Sequence, residues 1–445
     1  TDWTISDDGL TYTFNLNGDA VFSDGSTVTA DDVVFSVNRL KNVQGNPSFL
    51  AANVASVTAD DEDTVTITLS AVTPSFLANL ANTAFAVTNA DVIAENGGTD
   101  AEDAATADTA EEFLNGTSAG SGPYMLESWE PQVETVLVGN PNYYGDAPYF
   151  DRVIITNIAE PATQKVALES GEIDLALDLT SDQILPLEGT SDISIFRGPG
   201  NIVHFLLMNE DPEIGGPVSD PLVQRAVRLA LDYDGYVELW GGVQPGSIMF
   251  VGNAFSFSPD EGVDRNLEAA GALLAQAGYP DGFDITLEYP TFTFQGVNMD
   301  TNAQKIQSDL AEVGINVTLS PSDLQVALEG YRAGQEGFGY WFWGPDVLDP
   351  IDMLSFLPGG IVGDRANWTA DRAEQSLLDL VEQARVATDP AEREQVFTDL
   401  QAYTQENSPW APFIQPDVQT AFRADIQGYV WHPQWLIDVA LLSRA

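Results

Sequence analysis

The chain contains no cysteine, which excludes disulfides, thiol catalysis and cysteine metal sites. That absence does not name a compartment, since an exported protein can lack cysteine altogether. Histidine is nearly absent too: only His204 and His432 occur, with no HExxH pair and no P-loop glycine motif. No cofactor is expected, and transition-metal binding by side chains alone has almost no ligands to draw on. Basic residues are scarce, with 16 Lys and Arg against 68 Asp and Glu, and the formal charge is −52. So large a negative field repels phosphate, so nucleic acid and anionic membrane surfaces are poor partners. No apolar run approaches the roughly 18 residues of a membrane span. A signal peptide is also missing, and the opening "TDWTISDDGLTYTFNL" reads as the interior of a domain.

What is present is a chain built to fold. Hydrophobic residues make up 44% and aromatics 10% of 445 positions, which argues against disorder despite the charge. That length exceeds one ordinary core, so two or three lobes are expected. Lysine is limited to Lys41, Lys165 and Lys305, the other basic residues being arginine. An Asp-rich, Lys-poor surface suits a protein bathed in salt, where screening reduces self-repulsion.

Patterning along the chain is mixed. Tyr12, Phe14 and Leu16 alternate as a strand, and Val65, Ile67 and Leu69 make another after the acidic turn Asp60 to Asp63. That turn lacks the spaced ligands and central glycine of a calcium loop. Thr29 caps a helix with Asp32 in its first turn and Val33, Val37 and Leu40 on one face. Residues 96–118 read as an acidic surface excursion ending in a short helix. Pro161 to Ser170 reads as a helix closed by Gly171, followed by the alternation Ile173, Leu175, Leu177, Leu179. Helix then strand repeats further on: Asp264 caps a stripe of Leu267, Ala270, Leu274 and Ala277 before the strand Phe283, Ile285, Leu287. Ala303, Ile306, Leu310 and Val313 precede the strand Ile315–Leu319, and two helices follow, the second capped by Asp389. This order predicts an α/β fold, and no short-period repeat appears.

Six blocks then carry a resemblance. They are "YTFNLNGDAVFSDGSTVTADDVVFSVNRL" from Tyr12, "GSGPYMLESWEPQVETVLVGNPNYYG" from Gly120, "SGEIDLAL" from Ser170, "DPLVQRAVRLALDYD" from Asp220, "NLEAAGALLAQAGYPDGF" from Asn266 and "AQKIQSDLAEVGINVTL" from Ala303. In this order the chain resembles the dipeptide, oligopeptide and nickel-binding family of ABC-importer solute-binding proteins. The resemblance implies an α/β, two-lobed, type II periplasmic-binding-protein fold with an extra subdomain. By block order, residues 1–117 are that subdomain, 118–208 with 421–445 lobe I, and 209–420 lobe II. It further implies a monomer outside the cytoplasm (periplasmic or extracellular, lipid anchoring left open) that traps a small solute in the interlobe cleft. The partner is an ABC permease, and closure is favoured because ligand touches both lobes. Relatives carry some tens of residues before the block at Trp3, including a strand of the largest lobe, so the chain reads as a fragment whose stability is open.

The densest chemical signal is "GYWFWGPDVLDP". Trp341 and Trp343 alternate with Phe342, which places both indoles on one face, as core or as a ligand wall. Tyr340 and Gly344 flank them. In peptide-binding relatives a carboxylate three residues after a Trp and three before an acidic-Pro pair receives the ligand's α-ammonium. Trp343, Asp346 and Asp349-Pro350 match, so the resemblance assigns Asp346 that role, the alternative being a loop turn. His204 and Phe205 lie where the chain crosses between lobes, packed or bordering the cleft. Where some dipeptide binders carry an Arg for the ligand carboxylate, this chain has Phe292, Thr293 and Phe294, which favours a longer, apolar or sugar-like ligand. Arg365 serves either a carboxylate or a surface pair. A peptide is the first expectation, an oligosaccharide the second, and a metal chelate stays open.

The rival class is an enzyme. Gly116-Thr117-Ser118-Ala119-Gly120 matches the G-x-S-x-G of serine hydrolases, but that elbow needs a strand before it and a helix after. The local pattern here runs the other way, and catalysis is not expected.

Overall fold

The computed structural model describes residues 2–434 and 436–445. They form two compact units, Thr1–Asn157 with Asp425–Ala445, and Ile158–Ala424. This partition differs from the three-part division drawn from block order, which stays a proposal.

The two larger sheets of the first unit are antiparallel, and two short antiparallel pairs, Ile426–Gln427 with Ser443–Arg444 and Trp431–His432 with Leu436–Ile437, lie in its C-terminal segment. β1 (Asp2–Ile5), β2 (Thr11–Asn15), β3 (Val54–Ala59) and β4 (Thr64–Leu69) lie in the order β1-β2-β4-β3. Strict alternation in β4 buries Val65, Ile67 and Leu69 on one face, against the helix Ala30–Val43. That helix starts as expected: the Asp32 carboxylate accepts from the Thr29 amide at 2.9 Å and from its hydroxyl at 2.7 Å. The acidic excursion is pinned to it by a bidentate pair, Arg39 Nε to Asp108 Oδ2 at 2.7 Å and Arg39 Nη2 to Oδ1 at 2.9 Å. The second sheet is β5 (Tyr124–Glu130), β6 (Glu134–Gly139) and β7 (Arg152–Thr156) in sequential order.

In the second unit, β8 (Leu175–Ala176) and β9 (Ile193–Pro199) flank β17 (Asp417–Arg423). The alternation from Ile173 to Leu179 yields only two strand residues. Asp178 ends it, bonding its amide to Gln164 Oε1 at 3.3 Å and accepting from the Gln295 amide at 2.8 Å. The larger sheet runs β14-β11-β15-β10-β16, with β10 Val203–Met208, β11 Phe283–Pro290, β14 Ile315–Ser322, β15 Phe338–Trp343 and β16 Trp410–Ile414; between β11 and β14 the chain forms the short pair β12 (Thr293–Phe294) and β13 (Val297–Asn298). β11 is parallel to β14 and β15, while β10 is antiparallel to β15 and β16.

Helices cover both faces of this sheet, which is why β10 reads "VHFLLM" without a polar alternation and is buried throughout. On one face Leu206, Met208, Leu287, Phe338 and Tyr340 meet Val227, Tyr236, Leu274 and Ile306. On the other, Phe205, Leu207, Trp341 and Trp410 meet Leu377, Val381, Phe397 and Leu400. Each such side chain contributes about 1.5–3 kcal/mol by leaving water. The helix Leu267–Gln276 is capped by Asn266, whose Oδ1 accepts from the Ala269 amide at 2.9 Å, so the expected cap at Asp264 sits two residues too early. Gly282 and Gly314 start the parallel pair β11 and β14 at φ of 79° and 86°. A Cβ on Gly282 would lie 1.8 Å from the Gly314 carbonyl oxygen, so the two chains close up only with glycine there.

Candidate functional site

β15 distributes its aromatic residues by strand periodicity. Phe338, Tyr340 and Phe342 face one core and Trp341 and Trp343 the other, as the alternation predicted. His204 and Phe205 sit across from Phe342 and Trp341 on β10.

Four of the seven candidate residues are enclosed. Phe205 and Tyr340 are 0% exposed, His204 1% and Trp341 2%. Each has a packing or hydrogen-bonding task inside the protein. Phe205 sets its edge against Phe356 and Trp410 at 5.4 and 5.6 Å. The Tyr340 hydroxyl accepts from Asn302 Nδ2 at 2.7 Å and lies 2.8 Å from His204 Nδ1. Asn302 Oδ1 in turn accepts from the Trp240 indole at 2.7 Å, completing a buried polar chain. Burial lowers the His204 pKa to about 3, so the imidazole is neutral. Trp341 donates its Nε1–H to Glu336 Oε2 at 2.6 Å and stacks on Tyr331 at 4.2 Å. Burial raises Glu336 to about 8; the Trp341 bond opposes the shift and the Glu288 charge adds to it.

The other three candidates, Trp343, Gly344 and Asp346, are half-buried where β15 ends. Trp343 is held by an edge contact with Phe356 at 5.4 Å, by the Arg365 guanidinium 6.0 Å over its ring, and by a 2.9 Å bond from Nε1 to Asp352 Oδ2. The other oxygen of Asp352 accepts from the Asp346 amide at 2.9 Å. Burial lifts the Asp346 carboxyl above the usual carboxylate range, and the positive charge of Arg365 pulls it back down. Asp352 is pushed up to about 7, by burial first and by the Asp346 charge second. Asp349 caps the 3-10 turn Pro350–Phe356 through the Ile351 amide at 2.9 Å, and pairs with Arg393 at 2.6 Å.

Sequence reasoning missed Asp352, whose signal was its place just past the Asp-Pro pair. Arg365 was expected to serve a ligand carboxylate or a surface pair. It is buried, which overturns the surface pair, and lies 4.6 Å over the Tyr331 ring, so Tyr331 and Trp343 both face its cation. Phe292 and Phe294 join Phe342 in a half-buried aromatic cluster, with Phe294 stacked on Phe342 at 5.1 Å. A cavity of ≈ 10 Å³ is lined by Asn201, Phe250, Trp343, Pro345, Asp352 and Phe356. Among the described residues no group of acidic and histidine side chains is arranged to hold a metal ion, and no helix is long and apolar enough to cross a membrane. Ser118 lies between the helix Glu111–Leu114 and β5, where its hydroxyl accepts from the Leu126 amide at 2.7 Å, the reverse of a nucleophile elbow.

Comparison with known proteins gives a consistent set of relatives. The family described as "Bacterial extracellular solute-binding proteins, family 5 Middle" matches residues 1–361. A protein of Escherichia coli K12 described as a probable D,D-dipeptide-binding periplasmic protein is 28% identical over 97% of this chain and 81% of its own length. The glutathione-binding protein of the same strain is 27% identical over 96% of this chain and 82% of its own. Among solved structures, a dipeptide-binding protein of Pseudoalteromonas sp. SM9913 in complex with Met-Leu superposes with a TM-score of 0.86 at 21% identity, covering 100% of this chain and 90% of that one. This likeness shows the fold, and the expected mixed α/β class is the one found.

Proposed function

Since the chain belongs to the bacterial extracellular solute-binding proteins of family 5, we propose that it captures a peptide or peptide-like solute and hands it to an ABC permease without catalysing a reaction. Capture takes place outside the cytoplasm, by a monomer, with lipid anchoring as one way of holding it near the permease. The observation that carries the peptide reading is the Asp346 carboxyl beside Trp343 at the end of β15. Its ionised form is disfavoured by burial, so a ligand ammonium placed against it recovers a charge-assisted bond in a poorly solvated site. The adjacent indole offers an apolar wall and a face for a cation. The names of the relatives, dipeptide and glutathione binders, favour the same ligand chemistry.

Native mass spectrometry of the purified protein tests this by weighing co-purified solute. A ladder of masses spaced by amino-acid residues is the expected result. Spacing by hexose or pentose units would replace the peptide with an oligosaccharide and make Asp346 a hydroxyl acceptor.

A further inference from the structure

Asp352 stands on the 3-10 turn Pro350–Phe356, yet it does nothing for that turn's own start. Asp349 caps it, and the Asp349–Arg393 pair ties it to the long helix Pro390–Glu406. Both oxygens of Asp352 are turned instead toward the end of β15. Oδ2 accepts from the Trp343 indole and Oδ1 from the Asp346 amide, each at 2.9 Å, and the Val347 amide also donates to the carboxylate. Three N–H donors from a five-residue stretch thus converge on one carboxylate. An amide in its place has a single acceptor oxygen, and its NH2 would face a donor.

We propose that Asp352 is a positioning residue for ligand capture, setting the plane of the Trp343 indole and the direction of the Asp346 backbone together. The proposal rests on the reading of Asp346 and Trp343 as ligand-facing groups. Its consequence is that affinity depends on a side chain whose bonds all go to the protein. The charged groups around it are Asp346 in the bridged stretch, Arg365 over the Trp343 ring, and Asp349 at the start of its own turn with Arg393 of the long helix. The Asp346 charge raises the Asp352 pKa, so removing that charge lowers it without abolishing the titration.

The test labels the protein with 5-fluorotryptophan and assigns the Trp343 fluorine resonance by its loss in Trp343→Phe. In the unsubstituted protein that resonance shifts with pH with a midpoint near 7, as the acceptor of its N–H changes charge. In Asp346→Asn the midpoint moves down, and in Asp352→Asn the shift disappears. A resonance whose position and pH dependence are the same in Asp352→Asn as in the unsubstituted protein overturns the proposal. Where Asp352→Asn does not fold, Asp352→Glu, which keeps the charge but displaces the carboxylate, must still move the resonance, and an unmoved resonance overturns it. Calorimetric titration with Met-Leu and with D-alanyl-D-alanine then reads the consequence. Asp352→Asn is expected to weaken binding about tenfold or more, the effect of losing a hydrogen bond to a charged group. Unchanged affinity, with the fluorine shift present, overturns the positioning role. Failure of both dipeptides to bind the unsubstituted protein counts against the peptide reading, while the fluorine result still decides whether Asp352 governs the indole.

Discussion

Replacing Tyr340 with Phe removes a single oxygen from the centre of the larger sheet, and the cost follows from its partners. The hydroxyl accepts from Asn302 Nδ2 at 2.7 Å and lies 2.8 Å from His204 Nδ1, both inside the protein. With the oxygen gone, the Asn302 N–H and the His204 nitrogen lose a partner in a place where neither residue is more than 1% exposed. A buried polar group left unsatisfied costs about 1–3 kcal/mol, so the two together cost about 2–6 kcal/mol, with little change in volume to offset it. Asn302 keeps its bond from Trp240, which holds its side chain in place and prevents an easy escape. Urea unfolding is the assay: the midpoint should fall while the slope with denaturant stays constant, since the same surface is exposed. Because Tyr340 has no exposed face, ligand affinity should not change. A loss below about 1 kcal/mol would show that water or a rearranged Asn302 replaces the hydroxyl, and the argument from unsatisfied groups would fail.

Three further outcomes are expected. Asp346→Ala should weaken ligand binding by roughly 3–5 kcal/mol if the carboxylate pairs with an ammonium in a closed site, and titration calorimetry showing unchanged affinity would retire that role. Glu336 has a pKa raised from 4.5 to about 8, so it binds more protons folded than unfolded, and its contribution is full below the unfolded value and lost as pH rises toward 8. Glu336→Gln, which still accepts the Trp341 bond, should therefore flatten the fall in stability over that window, and an unaltered pH profile would count against a buried acid there. Finally, the charge of −52 predicts that thermal stability rises with added salt as self-repulsion is screened; a melting midpoint indifferent to salt refutes the reading of a salt-adapted surface.

Much of the local structure was legible because it depends on neighbours in sequence. The capping box at Thr29 and Asp32, the cap at Asp389 and the closure of Pro161–Ser170 by Gly171 at φ 77° all follow from residues within one turn of each other. The split of Trp341 and Trp343 from Tyr340 and Phe342 follows from strand periodicity alone. Asp264 misled because it and Asn266 are both good caps, and only the helix's first amide decides between them.

The sequence by itself determined the alternation of helices and strands, the acidic charge, the lack of thiol chemistry and, through six ordered blocks, the family. Tertiary structure decided which polar side chains share a buried space. Asn302 reaches Tyr340 from 38 positions away, and Arg365 comes to lie over Tyr331 and Trp343. Asp352 became visible as a shared acceptor at the end of β15 only once the 3-10 turn folded its carboxylate back onto Trp343 and the Asp346 amide. The reason is physical: periodicity and capping are set by bond geometry along the chain, whereas burial, and with it the strength of each hydrogen bond and the shift of each pKa, depends on what packs around a group from elsewhere.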